Sequence, residues 1–326
     1  MRLPLNKALL HGALLLAGLL TGSLTAQQFE GFSRPKAVDI RPGMLQPESQ
    51  PEAETGPSFP TSDIDIALPQ GKLQRPDAVA VVIGISSYVH EDVPRVDYAA
   101  RDARLMRDYL IKSMGYRSEN IIMAVDEGAT QAAFNRIFEG QLANYVKPGR
   151  SEVFVYYSGH GAPDLKDASA YFVPHDADPD YAAQTGYSLE RFYEQLESLQ
   201  AKSVTVVIDA CFSGASAGGM LINQASPIFI SVEHPAAVLK NGVVLTSSSG
   251  EEISSWHSDV GHGLFTYYFL KGLRGEADGD RDGQITSTEV FGYVMEHVPY
   301  LARRLFNRTQ TPQLMGGALD QVLVVY

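Results

Sequence analysis

The reactive chemistry of this chain starts from one cysteine and one histidine. Cys211 is the only cysteine among 326 residues, and it stands in Asp209-Ala-Cys-Phe-Ser-Gly, just after the apolar run Val204–Ile208. His160 lies 51 positions earlier, in Ser158-Gly-His-Gly, just after Val153–Tyr157. Glycine on both sides of His160 lets the backbone approach closely and present the ring and an amide together. A thiol becomes a useful nucleophile when a neighbouring imidazole takes its proton and later returns it to the leaving group. Two strand-end loops bearing these two residue types predict a Cys–His dyad. The bland alternative, a packed thiol acting as a small hydrophobe, stays open at this point. The remaining histidines, at 11, 90, 175, 234, 257, 262 and 297, are set aside as lacking a comparable setting. One cysteine with scattered histidines offers no zinc-ligand spacing and no internal disulfide.

The elements that must position the dyad are legible as alternating patterns. Ala78–Ile85 is an unbroken apolar run, the mark of a strand buried on both faces. Tyr98 to Lys112 places Ala99, Ala103, Met106 and Leu110 on one side of a helix. Ile121–Val125 reads as a second strand, and Thr130 as the N-cap of a helix to about Tyr145. Val153–Tyr157 is a third strand, Ser188–Leu199 a helix, Val204–Ile208 a fourth strand and Val243–Leu245 a fifth. Strands separated by helices predict an α/β fold with a mainly parallel central sheet between helical layers, one domain over 77–326. In such sheets, sites form beyond the carboxyl ends of the strands. Both reactive residues emerge at that edge.

The segments YYSGHG and DACFSG resemble the His and Cys motifs of the caspase-like cysteine peptidases, in which the His precedes the Cys by about 50 residues. GISSY after the first strand, ARDA at 100–103, GHGLFT at 261–266 and QTPQ at 310–313 extend the likeness over roughly residues 78–326. The chain is most similar to the bacterial metacaspase-like branch, the orthocaspases. It departs from metacaspases in having Phe212 where they usually have His, and in showing no long acidic insertion after GHG. The resemblance implies a thiol peptidase: Cys211 attacks the scissile carbonyl, His160 is general acid and base, and the amides of Gly161 and Cys211 hold the oxyanion. It also implies that Asp102, Ser158 and Asp209 line a pocket for Arg or Lys, where paired carboxylates suit a guanidinium. The residues alone leave Asp102 as a solvated helix position and Asp209 as a turn acceptor. The competing class is a catalytically silent caspase-like scaffold or binding module, responsive to calcium. Trp256, in SSSGEEISSWHS, is either a pocket wall or a core aromatic.

A second motif is independent. Asp278-Gly-Asp280-Arg-Asp282-Gly-Gln284-Ile-Thr-Ser-Thr-Glu289 fits a twelve-residue Ca²⁺ loop of EF-hand type. It offers oxygen ligands at positions 1, 3 and 5, a carbonyl at 7 (Gln284) and a bidentate Glu at 12 (Glu289). Phe265–Leu273 and Glu289–Arg303 read as the flanking helices. The alternative is a solvated Asp/Gly turn. No organic cofactor is implied.

The amino terminus reads as an export signal over 1–26, with Arg2 and Lys7 before the apolar run Ala8–Leu20 and a cleavage point after Ala26. An exported, periplasmic or secreted protein is expected, without a membrane span once the signal is removed. Residues 27–76 hold eight of the eighteen prolines and little periodicity, and are expected to be a linker or propeptide. Lys72 or Arg75 is a candidate site for its release, and Lys240, in the Gly/Ala/Ser/Pro-rich stretch 213–242, a candidate self-processing site. A net charge of −12 argues against nucleic acid as a partner, and polypeptides with a basic residue before the cut are the expected substrates.

Overall fold

The strands form where the apolar runs predict them, in a computed structural model that describes residues 59–326 apart from 165, 167, 168, 218, 222–238 and 251. The expected signal (1–26) and the first part of the expected linker, through residue 58, lie outside the described residues. Six strands make the central sheet: β1 (Val79–Gly84), β2 (Ile121–Val125), β3 (Glu152–Ser158), β4 (Ser203–Asp209), β5 (Gly242–Thr246) and β6 (Gln313–Met315). Their order is β6-β5-β4-β3-β1-β2, parallel except for β6, which runs antiparallel to β5. β1 has β2 on one side and β3 on the other, so the connections reverse direction there. Such a reversal opens a crevice at the carboxyl ends of the strands. The register sets Ser158 opposite Asp209 across β3 and β4, so two expected pocket residues sit side by side as the chain leaves the sheet.

Helices cover both faces. Val79, Val81 and Ile83 point to a core shared with Phe134, Phe138 and Phe192, while Ala80 and Val82 point to one shared with Met106, Leu110, Phe265 and Val294. That alternation within one fully buried strand makes a three-layer sandwich. α1 (Ala99–Lys112), α4 (Leu264–Lys271) and α5 (Ser287–Phe306) lie on the second face; α2 (Gln131–Arg136, continued through a wider turn to Tyr145) and α3 (Leu189–Ser198) lie on the first. Thr130 caps α2 as expected, its hydroxyl accepting from the Ala133 amide at 3.2 Å. Short runs escaped the sequence reading: β6, and the C-terminal strand Val322–Val325, which pairs with Gln284–Thr286. Runs of three or four residues carry too little periodicity to be seen.

Residues 59–76 differ from the expected spacer. Ser62 and Asp65 cap a short 3-10 turn reciprocally, and Ile64 within it is fully buried. Arg75 donates to Glu152 at 2.6 Å and to the carbonyls of Met114, Val322 and Leu323 at 2.5, 2.6 and 2.9 Å. Lys72 is bound by its backbone to the Val325 carbonyl at 2.8 Å. Neither residue is presented as an extended loop that a peptidase cleft could seize, which counts against both as release sites. Prolines mark this stretch as irregular, and irregular backbone still packs when a buried Ile and a satisfied Arg tie it down. Lys240 is exposed in a turn before β5; most of the stretch that precedes it lies outside the described residues.

Candidate active site

Three loops meet at the carboxyl edge of the sheet. Tyr98 and Asp102 come from the start of α1, Ser158 and His160 from the end of β3, and Asp209 and Cys211 from the end of β4; all six line one cleft. Ser254, Trp256 and Gly263 close its far side. Trp256 is half-buried here, 6.2 Å from the Tyr98 ring and edge-on to it. The cleft is tight, a cavity of about 20 Å³.

His160 and Cys211 share this cleft, and each is held by backbone. The imidazole Nε2 lies 2.6 Å from the Pro94 carbonyl. A carbonyl only accepts, so Nε2 carries the proton and Nδ1 is left as the basic lone pair. The Tyr88 ring leans on the imidazole at 5.0 Å, and its hydroxyl accepts the His160 amide at 2.8 Å. Among the described residues no carboxylate orients the ring; the third member of the arrangement is a main-chain oxygen, which no side-chain motif could reveal. The Cys211 sulfur accepts the Ser254 amide at 2.7 Å. Burial pushes the thiol up to about 11 and the imidazole down to about 4, against the smaller opposing pulls of Ser254 and Pro94. Between those values a neutral thiol faces a neutral imidazole, and no hydrogen bond joins them among the described residues. Deprotonation must then accompany attack rather than precede it.

Gly161 is engaged with the backbone of the Cys motif. Its amide, expected as an oxyanion donor, is given to the Cys211 carbonyl at 3.1 Å in this conformation. The reason is that the β3–β4 ladder continues past the strand ends, with the Gly159 amide on the Asp209 carbonyl one step earlier. Glycine is required at 161, since a Cβ there would meet the Phe212 ring at 2.4 Å. Phe212 itself is buried against Phe172, with ring centroids 6.0 Å apart.

The acidic residues converge as expected. Asp102 and Asp209 are both buried, and a Cβ placed on Gly263 would lie 2.5 Å from Asp209 Oδ2 and 3.2 Å from Asp102 Oδ2. The solvated-helix reading of Asp102 is therefore excluded. Asp209 accepts from the Thr266 hydroxyl at 2.6 Å and the Thr266 amide at 3.3 Å. Tyr156, 2.8 Å from that hydroxyl, must donate to it, because Thr266 spends its only proton on the carboxylate. Burial, reinforced by the Asp102 charge, pushes Asp209 up to about 6. No cation pairs with Asp209 among the described residues. Buried charge is ordinarily paired, and a carboxylate in a cleft has the chemistry to accept a cationic group.

Asp102 has a partner that the sequence reading passed over. His262 is flanked by Gly261 and Gly263, as His160 is by its own glycines, yet it was set aside. Its Nδ1 lies 2.5 Å from Asp102 Oδ1, and its Nε2 lies 3.2 and 3.3 Å from the two oxygens of Asp65. The signal was present in GHG at 261–263; the partners, 160 and 197 positions away, were not visible.

Three of the five expected ligands of the acidic loop lie together. Asp278, Asp280 and Asp282 each bring an oxygen within 4.8 Å of the others. Asp278 accepts from the amides of Asp282 and Gly283, and Gly283 takes φ +81°, which permits the sharp turn. Gln284 directs its side-chain amide to Asp282 at 2.8 Å. Glu289 stands apart from the three: its carboxylate accepts from the Thr286 amide and hydroxyl at 2.8 and 2.9 Å, closing a capping box on α5. Position 12 of the loop coincides with the third residue of the helix, so ligand and cap are the same side chain.

Comparison with known proteins places the fold. The caspase domain family model matches residues 77–323. A Geobacter sulfurreducens protein superposes with a TM-score of 0.53 at 16% identity, covering 77% of this chain and 100% of its own. Caspase-1 from Spodoptera frugiperda superposes at 0.51 with 13% identity, covering 82% and 96%. The structure of pro-sf-caspase-1 gives 0.51 at 14% identity, covering 82% and 97%. Among curated proteins none matches the sequence. These likenesses are to the fold, and with the family match over most of its length the chain belongs to the caspase domain family.

Proposed function

We propose that this caspase-domain protein is a cysteine endopeptidase that cuts after Arg or Lys. Cys211 is the nucleophile. As its sulfur bonds to the scissile carbonyl carbon, the thiol proton passes to His160 Nδ1, and the imidazolium returns it to the departing amine. Water then repeats the sequence on the acyl-enzyme. The Cys211 amide, joined by Gly161 once that amide releases its carbonyl partner, would hold the oxyanion. The observation that carries the basic preference is the unpaired Asp209 carboxylate, buried at the base of the same cleft as the dyad. An arginine side chain needs more room than the cleft now offers, so substrate must widen it. The reading is tested by release of fluorophore from peptides ending in Arg, Lys or Asp: faster turnover of the basic pair supports it, and cleavage after Asp alone overturns it. A silent scaffold is disfavoured by the retention of both reactive residues with their glycines.

Loop 278–289 is read as a Ca²⁺ staple for the C-terminal part. Asp278, Asp280 and Asp282 would hold the ion through hard oxygen ligands, and Glu289 would have to leave its cap to join them. Calcium at about 100 times its dissociation constant should stabilise the fold by ~2.7 kcal/mol. The melting temperature of wild type should rise by several degrees with Ca²⁺ and fall back with a chelator, while Asp280→Asn should show neither change. Identical melts with and without Ca²⁺ would remove the site. The charged and apolar pattern of residues 1–26 supports export to the periplasm or beyond. No helix among the described residues is long and apolar enough to cross a membrane.

A further inference from the structure

His262, the side chain that holds Asp102, is itself held by a segment outside the family match. Residues 59–66 run alongside the cleft as a strap. Phe59 packs edge-on to Tyr98 at 5.4 Å, and Tyr98 in turn packs on Trp256. Arg101 lies over the Phe59 ring at 5.3 Å and donates to the Pro60 carbonyl and to Asp65 Oδ2, both at 2.7 Å. Ile64 is buried, and its carbonyl accepts the Tyr109 hydroxyl at 3.0 Å. Asp63 pairs with Lys271 at 2.9 Å. Gly261 leaves room for all this: its φ is +71°, and a Cβ there would lie 2.5 Å from an Arg101 nitrogen and 3.1 Å from Pro60.

At the end of the strap, Asp65 meets His262, whose side chain is wholly buried, and His262 meets Asp102. An ionised carboxylate only accepts, so with Asp65 and Asp102 both ionised the ring between them donates from both nitrogens and is an imidazolium. Burial pushes the Asp102 carboxyl up, opposed by the hydrogen bond and charge of His262 and by the Gly263 amide. Burial lowers the basicity of His262, yet the hydrogen bond and charge of Asp102 and the charge of Asp65 outweigh it and raise it above the usual histidine range. With Arg101 beside Asp65, the four groups sum to zero charge. Asp102 is thereby held at both oxygens, one by His262 and the other by the Gly263 amide at 2.8 Å. Asp209 is left as the pocket's uncompensated charge.

We propose that Asp65 and His262 are positioning residues for recognition of a basic substrate side chain, so that the strap 59–66 completes the pocket from outside the caspase-domain match. This rests on the basic-residue reading above. Asp102 held by the buried imidazolium is one fixed wall of the pocket. Without Asp65 the ring keeps one carboxylate partner and can turn, and Asp102 turns with it. Any processing that leaves an active enzyme must then cut before Phe59.

The experiment measures binding apart from turnover. In a full-length Cys211→Ala background, fluorescence anisotropy reads the affinity of a labelled peptide with Arg at the recognised position and of the same peptide with Leu there. Asp65→Asn and His262→Gln should each weaken the Arg peptide about tenfold, the scale of losing one charged hydrogen-bond partner. The Leu peptide should bind unchanged, and Asp65→Glu should recover part of the loss. In the Cys211-containing enzyme the same variants should raise KM with kcat nearly constant. Equal weakening of both peptides would show a merely structural role and overturn the proposal. If the parent prefers Arg and both variants bind it as the parent does, the strap inference falls alone. If the parent shows no preference for Arg over Leu, the basic-residue reading falls and takes this inference with it. Thermal melts identify a variant that fails to fold; Asp65, the partly exposed member with its side chain 17% accessible, is the safer of the two.

Discussion

Replacing His160 with alanine should lower kcat about 10²- to 10⁴-fold, the range a positioned general base supplies. The reason lies in the resting protonation of the dyad. Burial holds the Cys211 thiol near 11, so at neutral pH it is protonated, and only a base within the cleft can take its proton during attack. His160 is suited to that task because the Pro94 carbonyl fixes its tautomer and burial keeps it neutral down to about pH 4. The pH profile separates this role from a structural one. Wild-type kcat should be flat from weakly acid to alkaline pH. The alanine variant should instead rise about tenfold per pH unit toward pH 11, as hydroxide titrates the thiol in place of the lost base. KM should change little, since the imidazole does not touch the pocket carboxylates. A variant that keeps more than a tenth of wild-type kcat would show that another group is the base.

Asp209→Asn should move stability and activity in opposite directions. The folded protein raises Asp209 from the ordinary 3.8 to about 6, chiefly by burial. A raised carboxyl binds its proton more tightly folded than unfolded. Its stabilising contribution is therefore complete below about pH 3.8 and lost as pH rises through 6. At neutral pH the ionised, unpaired carboxylate costs the fold about 3 kcal/mol. The neutral amide removes that cost, and the melting temperature at pH 7.5 should rise by several degrees. Activity pays for it: kcat/KM on an arginine-ended peptide should fall about 10²-fold, as when one member of a buried charge pair is deleted. The pH dependence gives a third sign. Wild-type kcat/KM, which reports groups of the free enzyme, should decline below about pH 6 as Asp209 takes up its proton. Asp209→Asn should lack that limb. A variant that is both less stable and fully active would mean that the carboxylate serves the fold and not the substrate.

Much of this site could be read from local sequence because its parts are local. Strand β3 ends in the His motif and β4 in the Cys motif, and a parallel pair of strands necessarily delivers both to one edge. The EF-hand-like spacing and the Thr130 cap were legible for the same reason: each is a pattern within a dozen residues. What escaped was made by distant partners or by backbone. The Pro94 carbonyl has no side-chain signature. His262 became intelligible only beside Asp102 and Asp65, which the fold brings to it from 160 and 197 positions away. The packing of residues 59–76 was hidden by their prolines, and that irregular backbone is tied down by Ile64 and Arg75. Glu289 shows two local codes sharing one residue, since a calcium loop and a helix cap both ask for Glu at that place, and here it is the helix that holds it.

The most direct measurement is the steady-state release of a fluorophore from an arginine-ended peptide by wild type and by Cys211→Ala, prepared identically and shown to melt alike. Thiol-dependent cleavage at a basic residue predicts turnover by wild type, at least about 10³-fold less by the alanine variant, and far less from an aspartate-ended peptide by either. Equal release by the two proteins, or no release by wild type from any peptide, would contradict it and leave this caspase domain as a binding module.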